Sequence, residues 1–241
     1  MRDRWEDVHS ETLPKHDVMG TGTRAFEAGS IALAGALVAA NAARAGLPGA
    51  SFEWWLLPAL AAGALAADVA SGLVHWFADT WGSDSMPVLG RRLLRPFRVH
   101  HANPEDLLLR DFIDCNGDVA LLACLPLAGA FFATGPLAAF LFALGAVSLP
   151  TNQVHQWAHR VDPPRAVAWL QRRGAFLSHA SHARHHRAPY TANYCIATGW
   201  CNAALEALGF FRGLERAVTA VTGAEPRAYD RVTTETVGVA S

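Results

Sequence analysis

Four apolar stretches constrain this chain more than any other feature. They run from about Phe26 to Ala45, Trp54 to Phe77, Val119 to Ala133 and Leu137 to Leu149, with a Gly135-Pro136 turn between the last two. A helix needs roughly 20 apolar residues to cross a bilayer. The first two stretches meet that length, and the flanks of the third and fourth can extend them to it. Buried core helices of a soluble protein are the alternative, and the charges decide against it. If the N-terminus is cytoplasmic and all four stretches cross, Arg44 is the only Arg or Lys on the far side. The remaining cations fall in the N-terminal tail, the 80–117 loop and the C-terminal segment. Cations concentrate in this way on the cytoplasmic side of membrane proteins. Trp54 and Trp55 would then mark one interface, and Trp76, Trp81 and Trp157 the other.

The expected fold is all-α: a polytopic membrane protein of about four transmembrane helices with a cytoplasmic histidine-rich helical cap. Its parts would be a cytoplasmic tail (1–24), a membrane domain (25–229) and a C-terminal tail (230–241). At 241 residues and a net charge of -1, nothing points to nucleic acid. Lys15 is the single Lys among 20 basic residues. Such a bias suggests a GC-rich coding sequence, and so a bacterial inner membrane, or the endoplasmic reticulum in a eukaryote. Cys115, Cys124, Cys195 and Cys201 form no Cys-x-x-Cys pair and read as free thiols. The polar N-terminus does not resemble a cleaved signal peptide.

The chain has 11 His, and the topology places nine of them, in four groups, at one membrane face. His75 ends the second stretch, His100 and His101 lie in the middle loop, His155 and His159 end the fourth stretch, and His179, His182, His185 and His186 follow. His75 and Asp79 share a helix face, as do His155 and His159. His179, His182 and His186 are spaced for one face, with His185 at its edge. His9 and His16 lie in the polar tail and are set aside. So many imidazoles exceed the three or four protein ligands of a single zinc. No Cys joins them, which argues against an iron–sulfur cluster, and haem would need only one or two axial His. Imidazole suits iron, zinc and copper alike, and the count points to two metals, best read as two irons that activate O2. Asp79 is either a ligand or an acceptor behind one, and His179 either a ligand or a partner that orients one. Asp68 lies inside an apolar stretch at a cost on the order of 3 kcal/mol, so it should face the bundle interior or a polar cavity, with headgroup contact as a further reading.

With these residues in view, the chain resembles the plasmanylethanolamine desaturases of the Kua-type lipid desaturase family. The resemblance rests on DVASGLVHWFADTWGS (68–83), RPFRVHH (95–101), RDFIDCNGD (110–118), TNQVHQWAH (151–159), HARHH (182–186), YCIATGWCN (194–202) and TGAEPRAYD (222–230). It implies eight ligands, His75, His100, His101, His155, His159, His182, His185 and His186, with Asp79 at the family's acidic position. It also implies a reaction: a 1-O-alkyl ether phospholipid is desaturated next to the ether oxygen to give a plasmalogen, using two Fe ions, O2 and two electrons from an external donor of the cytochrome b5 or ferredoxin type. One position departs. Tyr190 stands where the plasmalogen-forming members have His, and there the chain is similar to the plastid branch, which desaturates an acyl chain of phosphatidylglycerol. His179 could supply the imidazole that Tyr190 does not. A lipid hydroxylase and a non-catalytic metal or haem carrier are the other readings. The oligomeric state is not legible.

Overall fold

The computed structural model describes residues 13–46 and 53–227, and the regular structure among them is helical throughout. In chain order the helices are α1 (Thr21–Ala45), α2 (Leu56–Thr80), α3 (Arg95–Ala102, entered through a π-helical turn at Gly90–Leu94), α4 (Asp106–Leu109), α5 (Phe112–Phe132), α6 (Gly135–Ser148), α7 (Thr151–His159), α8 (Arg165–Arg172), α9 (His179–His185), α10 (Asn202–Ala207) and α11 (Phe210–Thr222). Four spans of 21 to 25 residues are long and apolar enough to cross a membrane: α1, α2, α5, and α6 continued through Pro150 into α7. At about 1.5 Å per residue each covers a hydrocarbon core of about 30 Å. Large apolar side chains face outward along them, among them Leu33, Leu57, Leu125 and Phe132. Water would penalise such a surface and lipid does not. The chain is a multi-pass membrane protein.

Within the bundle, α1 packs on α5, α5 on α6, and α6 on α2. Small residues make these approaches close, as membrane packing requires. A Cβ added at Gly63 of α2 would stand 2.2 Å from the Phe140 carbonyl oxygen of α6, and one at Gly117 of α5 would stand 2.3 Å from Glu27 Cβ of α1. At the far end Arg44 donates to the carbonyls of Ala130 and Ala133 at 2.6 and 3.0 Å. This far-side cation therefore caps the C-terminus of α5.

The opposite end differs from the sequence reading in three ways. The middle loop is partly helical, and α3 carries both His100 and His101. Trp76 and Trp81 are buried with Tyr194 and Phe211 beneath α11, where they form core and not an aromatic belt. The described part of the N-terminal tail, from Leu13 onward, also has structure. α1 already begins at Thr21, and residues 14–17 lie across α3 and α4. Asn103 donates to the Pro14 carbonyl, and Asp17 pairs with Arg91 and Arg95. His16 donates its backbone N–H to the buried Asp106 carboxylate, and its ring Nδ1 lies 2.9 Å from it. His9 and the tail from Asp230 lie outside the described residues. The four cysteines are free thiols, as expected.

Candidate metal centre

The site is assembled by docking the 194–202 segment onto one face of α2. Asp68 is fully buried and accepts backbone N–H groups from Thr198 and Gly199 on Oδ1 and from Cys201 on Oδ2, each at 2.8 Å. One turn along, Ser71 Oγ accepts from Ile196 and Ala197. Gly72 admits Cys195, whose Sγ would stand 2.6 Å from any added Cβ. One turn further, His75 Nδ1 donates to the Tyr194 carbonyl at 3.1 Å. Asp68 thus faces the interior, as its cost in the membrane requires, but the chain's own amides fill its lone pairs and leave no role in headgroup contact.

The His75 bond fixes its tautomer and leaves Nε2 as the free donor atom, and His185 is held likewise, with Nδ1 donating to the Ala192 carbonyl at 2.8 Å. A carbonyl behind a metal-ligating imidazole commonly serves this purpose. The helices then bring together two sets of donors, each set lying within 4.8 Å: His100, His155, His159, His182 and His186 in one, and His75, Asp79, His101 and His185 in the other. Helical geometry explains the partition. Neighbours on a helix point about 100° apart, so His100 and His101 on α3 serve different sets. His185 and His186 at the end of α9 do the same. Residues four apart stay together: His75 with Asp79, His155 with His159, and His182 with His186.

Either set could hold a metal ion. In the first, His182 Nε2 lies 2.9 Å from His155 Nε2, 2.6 Å from His159 Nε2 and 3.1 Å from His186 Nε2. One shared proton can satisfy only one such contact, whereas donors each about 2.1 Å from one ion sit about 3 Å apart. In the second, Asp79 Oδ2 lies 3.1 Å from His101 Nε2, 3.4 Å from His75 Nε2 and 3.5 Å from His185 Nε2. His75 Nε2 and Asp79 Oδ1 are buried with no hydrogen-bond partner in the protein. Burial, reinforced by neighbouring imidazoles, pushes His100, His182 and His186 below the usual histidine range. It does so too for His185, against the pull of Asp79. Neutral imidazole is the form that binds metal.

Eight His and Asp79 therefore converge. His179 does not: its Nδ1 donates to the Ala158 carbonyl at 2.8 Å and it belongs to neither set. Tyr190 lies at the rim, its ring edge-on to His101 with centroids 5.6 Å apart.

A cleft of about 280 Å³ runs between α2, α5, α6 and α7. Its apolar part is walled by Val74, Leu122, Pro126 and Leu144, and its polar end by Arg92, Arg110, Asp114 and Asp118. A smaller cavity of about 40 Å³, bounded by His100 and His155, shares Phe97, Arg110, Cys115 and Asn152 with it. Sequence reasoning passed over these cleft residues. The available signal was the i, i+4 series Asp114, Asp118, Leu122, Pro126 on α5, which passes from charge to hydrocarbon along one face.

Residues 64–229 match the model of the lipid desaturase domain. The chain is 44% identical over 185 residues to plasmanylethanolamine desaturase of Myxococcus xanthus, covering 73% of this chain and 65% of that protein. It is 37% identical over 243 residues to plasmanylethanolamine desaturase 1 of Mus musculus, covering 94% and 89%. It is 37% identical over 185 residues to the chloroplastic fatty acid desaturase 4 of Arabidopsis thaliana, covering 72% and 55%. The chain thus spans just under two thirds of the length of the Myxococcus protein. No solved structure matches it.

Proposed function

The chain belongs to the lipid desaturase family, and we propose that it forms the vinyl-ether double bond in the 1-O-alkyl chain of an ether phospholipid, converting a plasmanylethanolamine to a plasmalogen. The observation that carries this reading is the wall that the two cavities share. The histidine-lined cavity and the cleft have Pro96, Phe97, Arg110, Cys115 and Asn152 in common, beside the charged end, and share none of Leu122, Pro126 and Leu144. A lipid with its headgroup at the charged end and its chain in the apolar part would present its first carbons to the histidines. The carbons next to an ether oxygen are such carbons, whereas a mid-chain desaturase would need its metals at the apolar depth of the cleft. The names of the Myxococcus and mouse relatives point the same way.

In this proposal His100, His155, His159, His182 and His186 hold one iron, and His75, Asp79, His101 and His185 the other. Bound iron supplies, with O2, the oxidising power to remove two hydrogens from an unactivated CH2–CH2 unit. The balance is one O2, two protons and two electrons consumed, two waters and one C=C formed. The electrons come from a separate donor of the cytochrome b5 or ferredoxin type. The protein's part is positional. The Tyr194 and Ala192 carbonyls aim two imidazoles, Asp68 clamps the segment that carries Tyr194, and the apolar walls exclude water from the reacting carbons. The charge split supports a cytoplasmic position for this end.

A 1-O-alkyl lipid deuterated at the two carbons next to the ether oxygen tests the reaction. Incubated with the iron-loaded protein, O2 and a reducing system, it should lose two deuterons and become acid-labile. Retention of all label, with desaturation elsewhere, would contradict the proposal.

A further inference from the structure

A run of aromatic rings leads away from the set of His75, Asp79, His101 and His185. The Tyr194 ring centroid lies 5.2 Å from that of His185 and 5.8 Å from that of His75. Behind it, Phe211 lies 4.8 Å from Tyr194 and 6.1 Å from Trp76, and Trp76 lies 6.1 Å from Trp81. The four pack as one buried cluster. Tyr and Trp are the aromatic side chains that lose a single electron most readily, and an indole that has lost one becomes a strong acid at its N–H. The two indoles differ there. Trp76 Nε1 donates to Glu215 Oε1 at 3.3 Å, and Glu215 is half-buried on α11. Trp81 Nε1 is buried and has no hydrogen-bond partner among the described residues. Only Trp76 therefore has a base placed to take its proton.

We propose that Tyr194 and Trp76 form a one-electron relay that drains oxidising power from this metal set when the cleft holds no lipid, with Glu215 accepting the Trp76 proton. The proposal rests on the reading of the two sets as an O2-activating centre, and not on which lipid is oxidised. Reduction of one O2 to two waters takes four electrons. In turnover the external donor supplies two and the CH2–CH2 unit the other two, with its two hydrogens. An empty cleft leaves the second pair missing, and the imidazoles around the metals are then the groups exposed to attack. In the relay an electron leaves Trp76 and passes through Tyr194 to the metal set, while the indole proton moves to Glu215. A thiol reductant at the α11 surface returns the electron, and Glu215 returns the proton. Two such cycles supply the missing pair, and two thiols leave as one disulfide and two protons. Delivery of the donor's own electrons is a different task, because these rings exchange electrons only with a strong oxidant.

The test uses the iron-loaded full chain in nanodiscs without ether lipid, reduced with dithionite, mixed with O2 and frozen for electron paramagnetic resonance. Wild type should give a tryptophan radical whose signal narrows when the protein is grown with ring-deuterated Trp. The signal should vanish in Trp76→Phe and persist in Trp81→Phe. Glu215→Gln, a change on the half-buried α11 face that leaves the cluster packed, should lower the rate of radical formation by about 100-fold, the lower end of what a positioned proton acceptor contributes. Peptide mapping after repeated O2 exposure should find oxygen added at His75 and His185 several-fold faster in Trp76→Phe than in wild type. A signal that survives Trp76→Phe, or is untouched by Glu215→Gln, would overturn the proposal, as would damage at the wild-type rate. O2 uptake is measured on the same samples. Uptake without a radical overturns the relay alone, whereas no uptake overturns the O2-activating reading and the relay with it.

Discussion

His182 Nε2 stands 2.6 Å from His159 Nε2, a separation at which two neutral imidazoles need a proton or a cation between them. With His155 and His186 also converging on His182 Nε2, a single proton is not enough. The purified protein should therefore bind about two metal ions per chain. His182→Ala should lose the ion of the five-histidine set, and His75→Ala the other. Elemental analysis checks the count. Metal removal should also lower the unfolding temperature, because the binding energy of a site built by folding is part of the folding energy. A wild type with one ion, or a chelated protein of unchanged stability, would contradict the two-set arrangement.

Asp68 is the clamp for the segment that supports His75. Asp68→Asn keeps the shape but turns an NH2 group toward amides that donate. Hydrogen bonds to a buried charge are worth about 1.5–3 kcal/mol each, so the substitution should destabilise the protein by about 2–4 kcal/mol. Thermal unfolding in detergent reads this directly. Metal content should fall in parallel as the Tyr194 carbonyl shifts away from His75.

His179→Ala should be mild. Its ring ties α9 to the Ala158 carbonyl beside His159 and is not a metal donor in this arrangement. Metal content should stay near two, with turnover lowered by no more than about tenfold, the lower range for a supporting contact. Tyr190→His should not rescue it, because Tyr190 lies against His101, in the other set. Loss of a whole metal ion in His179→Ala would reverse this assignment.

His16→Ala removes the imidazole partner of buried Asp106. The cost should be about 1–2 kcal/mol, with faster proteolytic cleavage in the 13–20 segment. Peptide mapping of a timed digest checks this. Cleavage at the wild-type rate would mean that the segment is held without the ring, by Pro14, Asp17 and the backbone N–H of residue 16.

The bundle was legible because apolar length and cation placement are one-dimensional signals. The four membrane stretches and their end-to-end alternation needed no tertiary information. The histidines were legible as a set because their local spacing is helical and the topology gathers them at one end. Their partition was not. It depends on α3 being a helix, since His100 and His101 diverge only there, and the loop that carries them reads as polar and proline-interrupted. His179 fits the spacing of its neighbours yet turns to a backbone carbonyl, because α9 begins at that residue and its ring lies nearest the end of α7. Trp76 and Trp81 were misplaced because a belt position and a core position have the same sequence signature until α11 folds over them. The Asp68 clamp was invisible in sequence: its partners are amides 130 to 133 residues away.

The most direct test of the central claim is lipid analysis of a plasmalogen-free host that expresses this chain. The account predicts acid-labile vinyl-ether phospholipids with the wild-type protein and none with His155→Ala, at equal amounts of membrane-inserted chain. Unsaturated or hydroxylated acyl chains in place of vinyl ethers would contradict it.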